Sequence, residues 1–338
     1  MKIIYQQKIT AIDSMSNEDS SYPKANLIDK QPSRYAKATA GSTVICWNAS
    51  GPDVALFNIY AETGRFRAIN NDATSAINVT GTDLSIADSN TLHSTGTDLS
   101  VFSDGDTIVI SGFTTAANNG VFTVSGTPTA TDLDVSGTPF SAEAAGDTVR
   151  VVKATTPDID VTIDFSWCKS WTDYFSGRAR QATQWLYDMG ENWTDITCIL
   201  NLDIDGTKRL GATYPYLGLI YQGLGRWFGK SQYGAGFPIR DSSLFAKTTN
   251  GSLLSVGRVL NVDMNFTATS TLNNAAALTE VFKNDNTNYK VFIMQDDGAG
   301  LQAYRFIYGK IEQKPTLVWN TPTLQRTNFS VTQVGGYE

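Results

Sequence analysis

The sequence is poor in charge, cysteine and histidine. Charged residues make up 17% of its 338 residues, and it has three cysteines and one histidine. Cys46, Cys168 and Cys198 are too few and too scattered for a disulfide framework. Each lies in or beside an apolar or aromatic run, so we expect buried free thiols. His93 has no cysteine or second histidine near it, which favours a solvated loop residue over a triad or a zinc site.

Long apolar runs and positive charge are also missing. No stretch approaches the roughly 18 apolar residues that cross a bilayer. The opening MKIIYQQKIT lacks the apolar run of a secretory signal. The formal net charge of −7 provides no electrostatic attraction to nucleic acid or an anionic membrane. We therefore expect synthesis in the cytoplasm, no nucleic-acid partner, no membrane insertion and no cofactor.

Serine, threonine, asparagine and glycine take the place of charge, and they are typical of a β-rich protein with many turns. The clearest local pattern is DGDTIVISGFTTAANNGVFTVSG, residues 104–126. Two β-branched runs, residues 107–111 and 121–125, flank a loop that ends in Asn118, Asn119 and Gly120. All three residues are of types that tolerate positive φ, so we expect the runs to pair as a hairpin. The fold class predicted is all-β.

Composition divides the chain into three parts. Residues 72–148 contain no lysine or arginine, and GTDLS occurs there twice, at Gly81 and Gly96. We expect a small β module over residues 71–153, inserted into a β-sandwich made of residues 1–70 and 154–225. Residues 226–338 are expected to form a β-rich C-terminal domain with one short helix over residues 273–283. Because residues 54–60 and 159–165 flank the insertion, we expect them to neighbour one another in one sheet.

Two short motifs fail as ligand sites. The run from Asp203 to Gly206 resembles the start of a calcium loop, but Lys208 stands where that loop needs its glycine. A turn at the end of a strand accounts equally well for the sequence from Asp203 to Gly206. The run from Gly223 to Arg226 lacks the third glycine of a dinucleotide-binding loop.

Acidic residues raise the possibility of glycoside hydrolysis, which uses paired carboxylates. Asp158, Asp160 and Asp164 alternate with apolar residues on one predicted strand, while Asp173 and Glu191 lie among tryptophans. Alternation of period two is typical of a strand with one wet face. The wet-face interpretation is favoured over catalysis.

An aromatic belt runs from Trp167 to Trp193 and includes Trp171 and Trp185. Flat rings stack on sugars and also dominate protein interfaces. Two interpretations stay open: a core or subunit interface, which is favoured, and a glycan platform.

Residues 220–264 resemble a minor tail protein of long-tailed bacteriophages. In that family a glycine-rich strand leads to a YG-x-x-x-x-P-I-x-D-x-S stretch, a turn and a strand with an arginine. The matching features here are Tyr233-Gly234, residues 237–242, Asn250-Gly251 and Arg258. A helix, a "vfi" strand, an aromatic strand ending in Tyr-Gly and a closing strand follow in the family. Here these match residues 275–283, 291–293, 307–309 and 329–331. The family often has tyrosine after the aspartate, whereas Ser242 follows Asp241 here.

Two shorter resemblances lie upstream. Residues 104–124, together with EAAGDTV at residues 143–149, are similar to small β modules of phage virion proteins. The stretch ANLIDKQPSR resembles the opening of a discoidin-like, galactose-binding-type sandwich, in which this loop faces the ligand. That resemblance implies Asn26, Asp29 and Ser33 as glycan-binding candidates, beside Trp171 and Trp185 from the aromatic belt.

Together these resemblances imply a non-enzymatic structural component of a phage tail tip or baseplate, located in the virion and made in the host cytoplasm. Its expected partners are copies of itself, other tail proteins and host-surface glycan. A dedicated carbohydrate-binding, receptor-binding adhesin is the alternative. A polysaccharide depolymerase that uses Asp173 or Glu191 is a third, less favoured one.

Overall fold

A computed structural model shows that the chain is built almost entirely of β-strands. It describes residues 2–165, 184–204, 214–227, 230–231, 239–240, 244–247, 253–256, 261–271, 289–293, 306–311, 316–321 and 324–333. Strands contain 52% of the residues and helices 4%, and no helix in the described ranges has seven or more residues. The all-β prediction is confirmed. The helix predicted over residues 273–283 lies outside the described residues.

The strands before the predicted insertion are β1 (Lys2–Gln7), β2 (Ser14–Met15), β3 (Ala36–Lys37), β4 (Ser42–Ala49), β5 (Asp53–Tyr60) and β6 (Thr63–Asn70). Within the predicted insertion lie β7 (Asn78–Gly81), β8 (Leu84–Ile86), β9 (Thr91–Ser94), β10 (Thr107–Ser111), β11 (Gly120–Thr123), β12 (Asp132–Asp134) and β13 (Val149–Lys153). Two short 3₁₀ helices span Lys24–Ile28 and Ala116–Asn118.

After the predicted insertion come β14 (Ile159–Asp164), β15 (Gln184–Asp188), β16 (Ile196–Asp203) and β17 (Tyr216–Trp227). The last third contains β18 (Lys230–Ser231), β19 (Ile239–Arg240), β20 (Leu244–Lys247), β21 (Leu253–Val256), β22 (Asn261–Thr271), β23 (Tyr289–Ile293), β24 (Phe306–Ile311), β25 (Thr316–Thr321) and β26 (Leu324–Gln333).

Two sheets pack face to face as a β-sandwich. The large sheet has twelve strands, with β15-β5-β17-β1-β23-β24-β26-β22-β18 as its main path. The small sheet has five, in the order β14-β6-β16-β4-β2. Alternate side chains of both sheets enter one buried apolar cluster, which is the arrangement that period-two alternation favours. Among its members are Ile45, Trp47, Phe66 and Leu200 from the small sheet and Val54, Leu56, Leu217 and Ile220 from the large sheet.

The prediction that residues 54–60 and 159–165 share a sheet is wrong. β5 belongs to the large sheet and β14 to the small sheet, where β14 pairs with β6. Alternation specifies which face of a strand is buried but not its partner, and β6 was not predicted. The wet face of β14 is confirmed: Asp160 is exposed and forms a two-pronged ion pair with Arg65 of β6.

Gln222 of β17 provides hydrogen-bond partners for polar groups buried inside the sandwich. Its Oε1 accepts a hydrogen bond from Trp47 Nε1 at 2.7 Å, and its Nε2 donates to the Gly51 carbonyl at 3.2 Å. Cys198 Sγ lies 3.4 Å from the same Oε1. Cys46 and Cys198 are buried free thiols, as predicted. Burial raises the pKa of Cys46 to about 12. Cys168 lies outside the described residues.

Residues 71–153 form two sheets of their own, β11-β10-β13-β7 and β12-β9-β8, around a separate apolar cluster. The predicted hairpin is confirmed, since β10 and β11 pair antiparallel. Of Asn118, Asn119 and Gly120, only Gly120 has positive φ. Asn118 and Asn119 serve through their side chains: Asn118 Nδ2 donates to the Ser141 carbonyl, and the Asn119 amide bonds both backbone groups of Phe113.

This module rests on the outer face of the small sheet. Six buried residues from both sides form the apolar contact: Cys46, Ile69, Val109, Val152, Ala154 and Ile199. At its edge, Arg150 of β13 donates two hydrogen bonds to Asp195, 2.8 and 2.6 Å long. A two-pronged pair of this kind adds geometric specificity as well as binding energy. It therefore helps to orient the module on the small sheet.

Asp13 lies beside this contact, where burial disfavours its charged form. Its Oδ2 accepts a 2.8 Å hydrogen bond from Asn48, whose amide also lies 3.4 Å from Ser111 Oγ of the module. Burial raises the pKa of Asp13 to about 6, although Lys24 and Arg150 partly oppose the shift. The folded state therefore binds this proton more tightly than the unfolded chain, whose aspartate pKa is about 3.9. The stability this proton provides is lost as pH rises through about 6.

We expect Asp13→Asn to raise the free energy of unfolding by about 2 kcal/mol near pH 7.5, because the buried charge disappears. The gain should shrink towards about pH 4.5, where the wild-type carboxyl is largely protonated in the folded state. Urea unfolding at both pH values measures it. Glu191→Gln, which removes one exposed carboxylate, is the control. A variant less stable than wild type near pH 7.5 would contradict the assignment.

Candidate binding surface

Four tyrosine rings stack in a row on the surface of the large sheet. The ring centroids of Tyr22 and Tyr35 lie 4.9 Å apart, those of Tyr35 and Tyr216 4.7 Å, and those of Tyr216 and Tyr60 4.9 Å. The outer two contacts are nearly parallel, with interplanar angles of 7° and 10°. Tyr22 is exposed and the other three are half-buried. We call this row the tyrosine stack.

Strand register places these rings together. Tyr216 opens β17 and lies directly opposite Tyr60 of β5 on one side and Lys37 of β3 on the other. Directly opposed residues of antiparallel strands project from the same face. Tyr35 lies two residues before Lys37, and Tyr22 stacks on Tyr35. The stack therefore runs across three neighbouring strands.

A glycine allows the neighbouring loop to approach the large sheet closely. The Pro32 carbonyl accepts a 2.8 Å hydrogen bond from Asn58 Nδ2. A Cβ on Gly218, the residue of β17 level with Asn58, would collide with that carbonyl. Asn58 has φ +55°, which asparagine tolerates better than most residues. Gly218 and Asn58 thus hold residues 26–33 against the start of β17.

The three loop residues predicted to bind glycan lie next to this stack. Asn26 is half-buried, and its Nδ2 donates a 3.0 Å hydrogen bond to the Tyr35 carbonyl. Asp29 Oδ1 accepts from the Gln31 backbone amide at 2.8 Å. Ser33 is exposed. Asn26 and Asp29 shape the loop, and Ser33 is the one that faces solvent, so the glycan-binding role of all three stays a prediction.

The two predicted tryptophans do not join the loop. Trp185 lies opposite Leu56, four positions before Tyr60 along β5, or roughly 13 Å along the strand. It is half-buried, stacks on Tyr187 at 5.5 Å and contacts Phe66 of the small sheet at 5.3 Å. Its ring is thus engaged within the sandwich. Trp171 lies outside the described residues.

One cation accompanies the tyrosine stack. Lys37 Nζ lies 5.7 Å from the ring centroid of Tyr22 and 5.9 Å from that of Tyr214, a range in which cation–π attraction acts. Lys37 forms no ion pair with any described residue. Arg34, by contrast, pairs with Asp29 at 3.6 Å. The surface therefore presents aromatic edges, hydroxyl groups and one positive charge.

The other residues considered for chemistry lie apart from this surface. His93 Nδ1 is 2.7 Å from Asp132 Oδ1 in the module, and both side chains are well exposed. Hydrogen bonds from Thr131 and His93 lower the pKa of Asp132. Asp158 Oδ2 accepts the Asn70 backbone amide. Asp173 and residues 205–208 lie outside the described residues.

What the tyrosine stack can do follows from its geometry. The rings of the stack cover one another's faces, so the faces of the two inner rings, Tyr35 and Tyr216, are not available to a ligand. Rings held by neighbours on both sides lose little side-chain entropy on binding. The sequence hid the stack because Tyr60 and Tyr216 are far from the loop in the chain and meet it only through register. The sequence signal that could have indicated an aromatic surface here is the pair Tyr22 and Tyr35, which flank the loop.

Comparisons with protein-family models, curated proteins and solved structures found no match. Within the described ranges, no helix is long and apolar enough to span a membrane. No three His, Cys, Asp or Glu side chains converge there as a metal ion would require. The function of the chain is therefore inferred from its own residues.

We expect Gly218→Ala to lower the free energy of unfolding by about 1–3 kcal/mol, the usual effect of forcing an extra methyl group into a packed site. Urea unfolding measures the loss, and near-ultraviolet circular dichroism reports the tyrosine environment. Gly96→Ala is the control, because a Cβ there meets Asp83 Oδ2 at an ordinary 3.5 Å. Equal stability of the two variants would show that the loop does not depend on close approach at β17.

Proposed function

We propose that this chain is a non-enzymatic structural component of a phage tail tip or baseplate, carried in the virion. It assembles with copies of itself and with other tail proteins. The resemblance of residues 220–264 to minor tail proteins supports the setting. The tyrosine stack, with Tyr22 exposed at its end and three half-buried rings behind it, is the observation that carries the role, because ordered aromatic rings at a surface suit assembly.

The chemistry of the stack favours a protein partner. Tyrosine is enriched in protein interfaces and among the residues that dominate binding energy, because it buries a large ring and keeps a hydroxyl for hydrogen bonding. Rings ordered before contact spare the entropy that flexible side chains lose. Tyr22 is one of only two exposed large apolar or aromatic residues in the described part of the chain, and it lies at the end of the stack.

Host-surface glycan is the second candidate ligand. Tyr22, at the end of the stack, has 37% of its surface exposed. Lys37 Nζ lies over the Tyr22 ring, so a sugar would meet the ring edge and this ammonium group, with Ser33 of the predicted loop nearby. Lys37 would complement an acidic sugar there. A depolymerase that uses Asp173 or Glu191 stays the least favoured alternative, since the sequence offers no motif for it.

If the stack is an assembly surface, the wild-type chain self-associates, and the double variant Tyr22→Ala, Tyr35→Ala weakens that association at least about tenfold, equivalent to roughly 1.4 kcal/mol. Sedimentation equilibrium of both proteins measures it. Val101→Ala is the matched control, because Val101 is similarly exposed, at 42%, but belongs to the module. Equal association of wild type and double variant would contradict this role for the stack.

Retention of the chain on immobilised host polysaccharide distinguishes a protein partner from a glycan ligand. The interface interpretation predicts that Tyr22→Ala changes association and leaves retention unchanged. Loss of retention with unchanged association would assign the stack to glycan instead.

A further inference from the structure

A second unusual site lies at the opposite end of β5 and β17 from the tyrosine stack. Lys2 of β1 places its Nζ 2.5 Å from Asp53 Oδ1 and 2.6 Å from Asp188 Oδ2. Asp53 opens β5 and Asp188 ends β15, and the two aspartates lie directly opposite one another in the sheet. Like charges in directly opposed positions repel, so both carboxylates depend on the one ammonium group.

The backbone of β17 is shaped to bring these groups together. Lys2 lies opposite Trp227 on one side of β17, and Asp53 lies opposite Gly223 on the other. The lysine side chain therefore crosses β17 near Gly225. A Cβ on Gly225 would collide with both Asp53 Oδ2 and Lys2 Cε. Glycine at this position leaves the path to Asp53 open.

Burial distinguishes this cluster from a surface ion pair. The side chain of Lys2 is 8% exposed and that of Asp53 1%, whereas that of Asp188 is 51% exposed. Asp53 Oδ2 is buried and has no hydrogen bond of normal geometry, although the Gly225 backbone amide interacts with this carboxylate. A buried acceptor with a poor hydrogen bond and a pair of buried charges are both unfavourable. The folded chain therefore holds an amine and a carboxyl group together in a state that condensation would relieve.

We propose that Lys2 and Asp53 condense into an isopeptide bond that covalently joins β1 to β5. The Lys2 ammonium gives a proton to Asp188, and the free amine attacks Asp53 Cγ. The new bond is Nζ–Cγ, and the bond that breaks is Cγ–O. The departing oxygen leaves as water, taking up the proton held by Asp188 and a second proton from Nζ. Ammonium and carboxylate become amide and water, so no oxidant, reductant or further reactant is needed.

Positioning supplies the driving force that such a reaction lacks in free solution. Well-oriented intramolecular reactions reach effective concentrations of about 10⁵–10⁸ M. Nζ lies 2.5 Å from Oδ1, the oxygen bonded to Cγ, so a small movement would bring it to the roughly 3–3.5 Å contact with Cγ from which attack occurs. Burial raises the pKa of Asp53, outweighing the hydrogen bond from Lys2, and so makes it easier for the departing oxygen of this carboxylate to take up protons.

Proton removal from Lys2 is the difficult step. Burial lowers the pKa of Lys2, but its hydrogen bonds to Asp188 and Asp53 outweigh burial and raise the pKa. The amine therefore needs an acceptor in direct contact. Asp188 is the acceptor in contact. Burial raises the pKa of Asp188, but hydrogen bonds from Lys2 and the Gly190 amide outweigh burial and lower it, so the proton lies on Lys2 at rest and reaches Asp188 only during the attack. Because the side chain of Asp188 is half exposed, the released water has a way out.

Mass spectrometry of the purified, denatured full chain tests the proposal. We expect a mass one water below that of the sequence. A tryptic digest should contain residues 1–8 joined to residues 38–65, again lighter by one water. Lys2→Arg keeps the positive charge but cannot condense, since arginine stays protonated, and should have full mass. Asp188→Asn should have full mass or cross-link more slowly, and circular dichroism confirms that each variant folds.

A wild-type chain of full mass would overturn the proposal. So would equal loss of water from wild type and Lys2→Arg, which would place the dehydration elsewhere, for instance at an aspartate cyclised on its own backbone. Cross-linking of Asp188→Asn at the wild-type rate would remove Asp188 from the reaction.

Discussion

Close approach across one strand, β17, is the constraint on which most of the described sandwich depends. Gly218 admits the Pro32 carbonyl, Gly223 admits the carbonyl of Gln6, and Gly225 admits the Lys2 and Asp53 side chains. Between them, Gln222 pairs with Trp47 in the core. A β-strand interior normally disfavours glycine. Here three glycines place the tyrosine stack at one end of β17 and the buried lysine at the other.

Local patterns in the sequence predicted local structure well. The all-β class, the hairpin of β10 and β11 and the wet face of β14 follow from alternation and turn residues, and all three are confirmed. The pairing of strands could not be predicted in this way, because alternation does not indicate which strands are neighbours. This is why β5 and β14 were wrongly expected to share a sheet. In the sequence, the run from Gly223 to Arg226 is part of a glycine-punctuated region and fails as a nucleotide-binding loop, but nothing marks it as a site of close packing. Its spacing serves close packing, which depends on neighbours distant in sequence.

The candidate site shows the same limit. The loop with Asn26, Asp29 and Ser33 could be singled out because it is continuous in the chain. The tyrosine stack adds Tyr60 and Tyr216, which reach the loop only through the register of β3, β17 and β5. Trp185 was chosen for its ring, yet that ring packs on Phe66 and Tyr187. Residue type alone did not distinguish an aromatic residue used inside the sandwich from one presented at its surface.

Whether the chain is part of a virion is the central functional claim, and immunogold electron microscopy tests it most directly. Purified particles of the phage proposed to carry the chain would be incubated with a gold-labelled antibody raised against it. The account predicts gold at the tail end of the particle. Absence of gold, with an antibody shown to bind the folded chain and particles disrupted to expose hidden surfaces, would contradict a structural role in the tail.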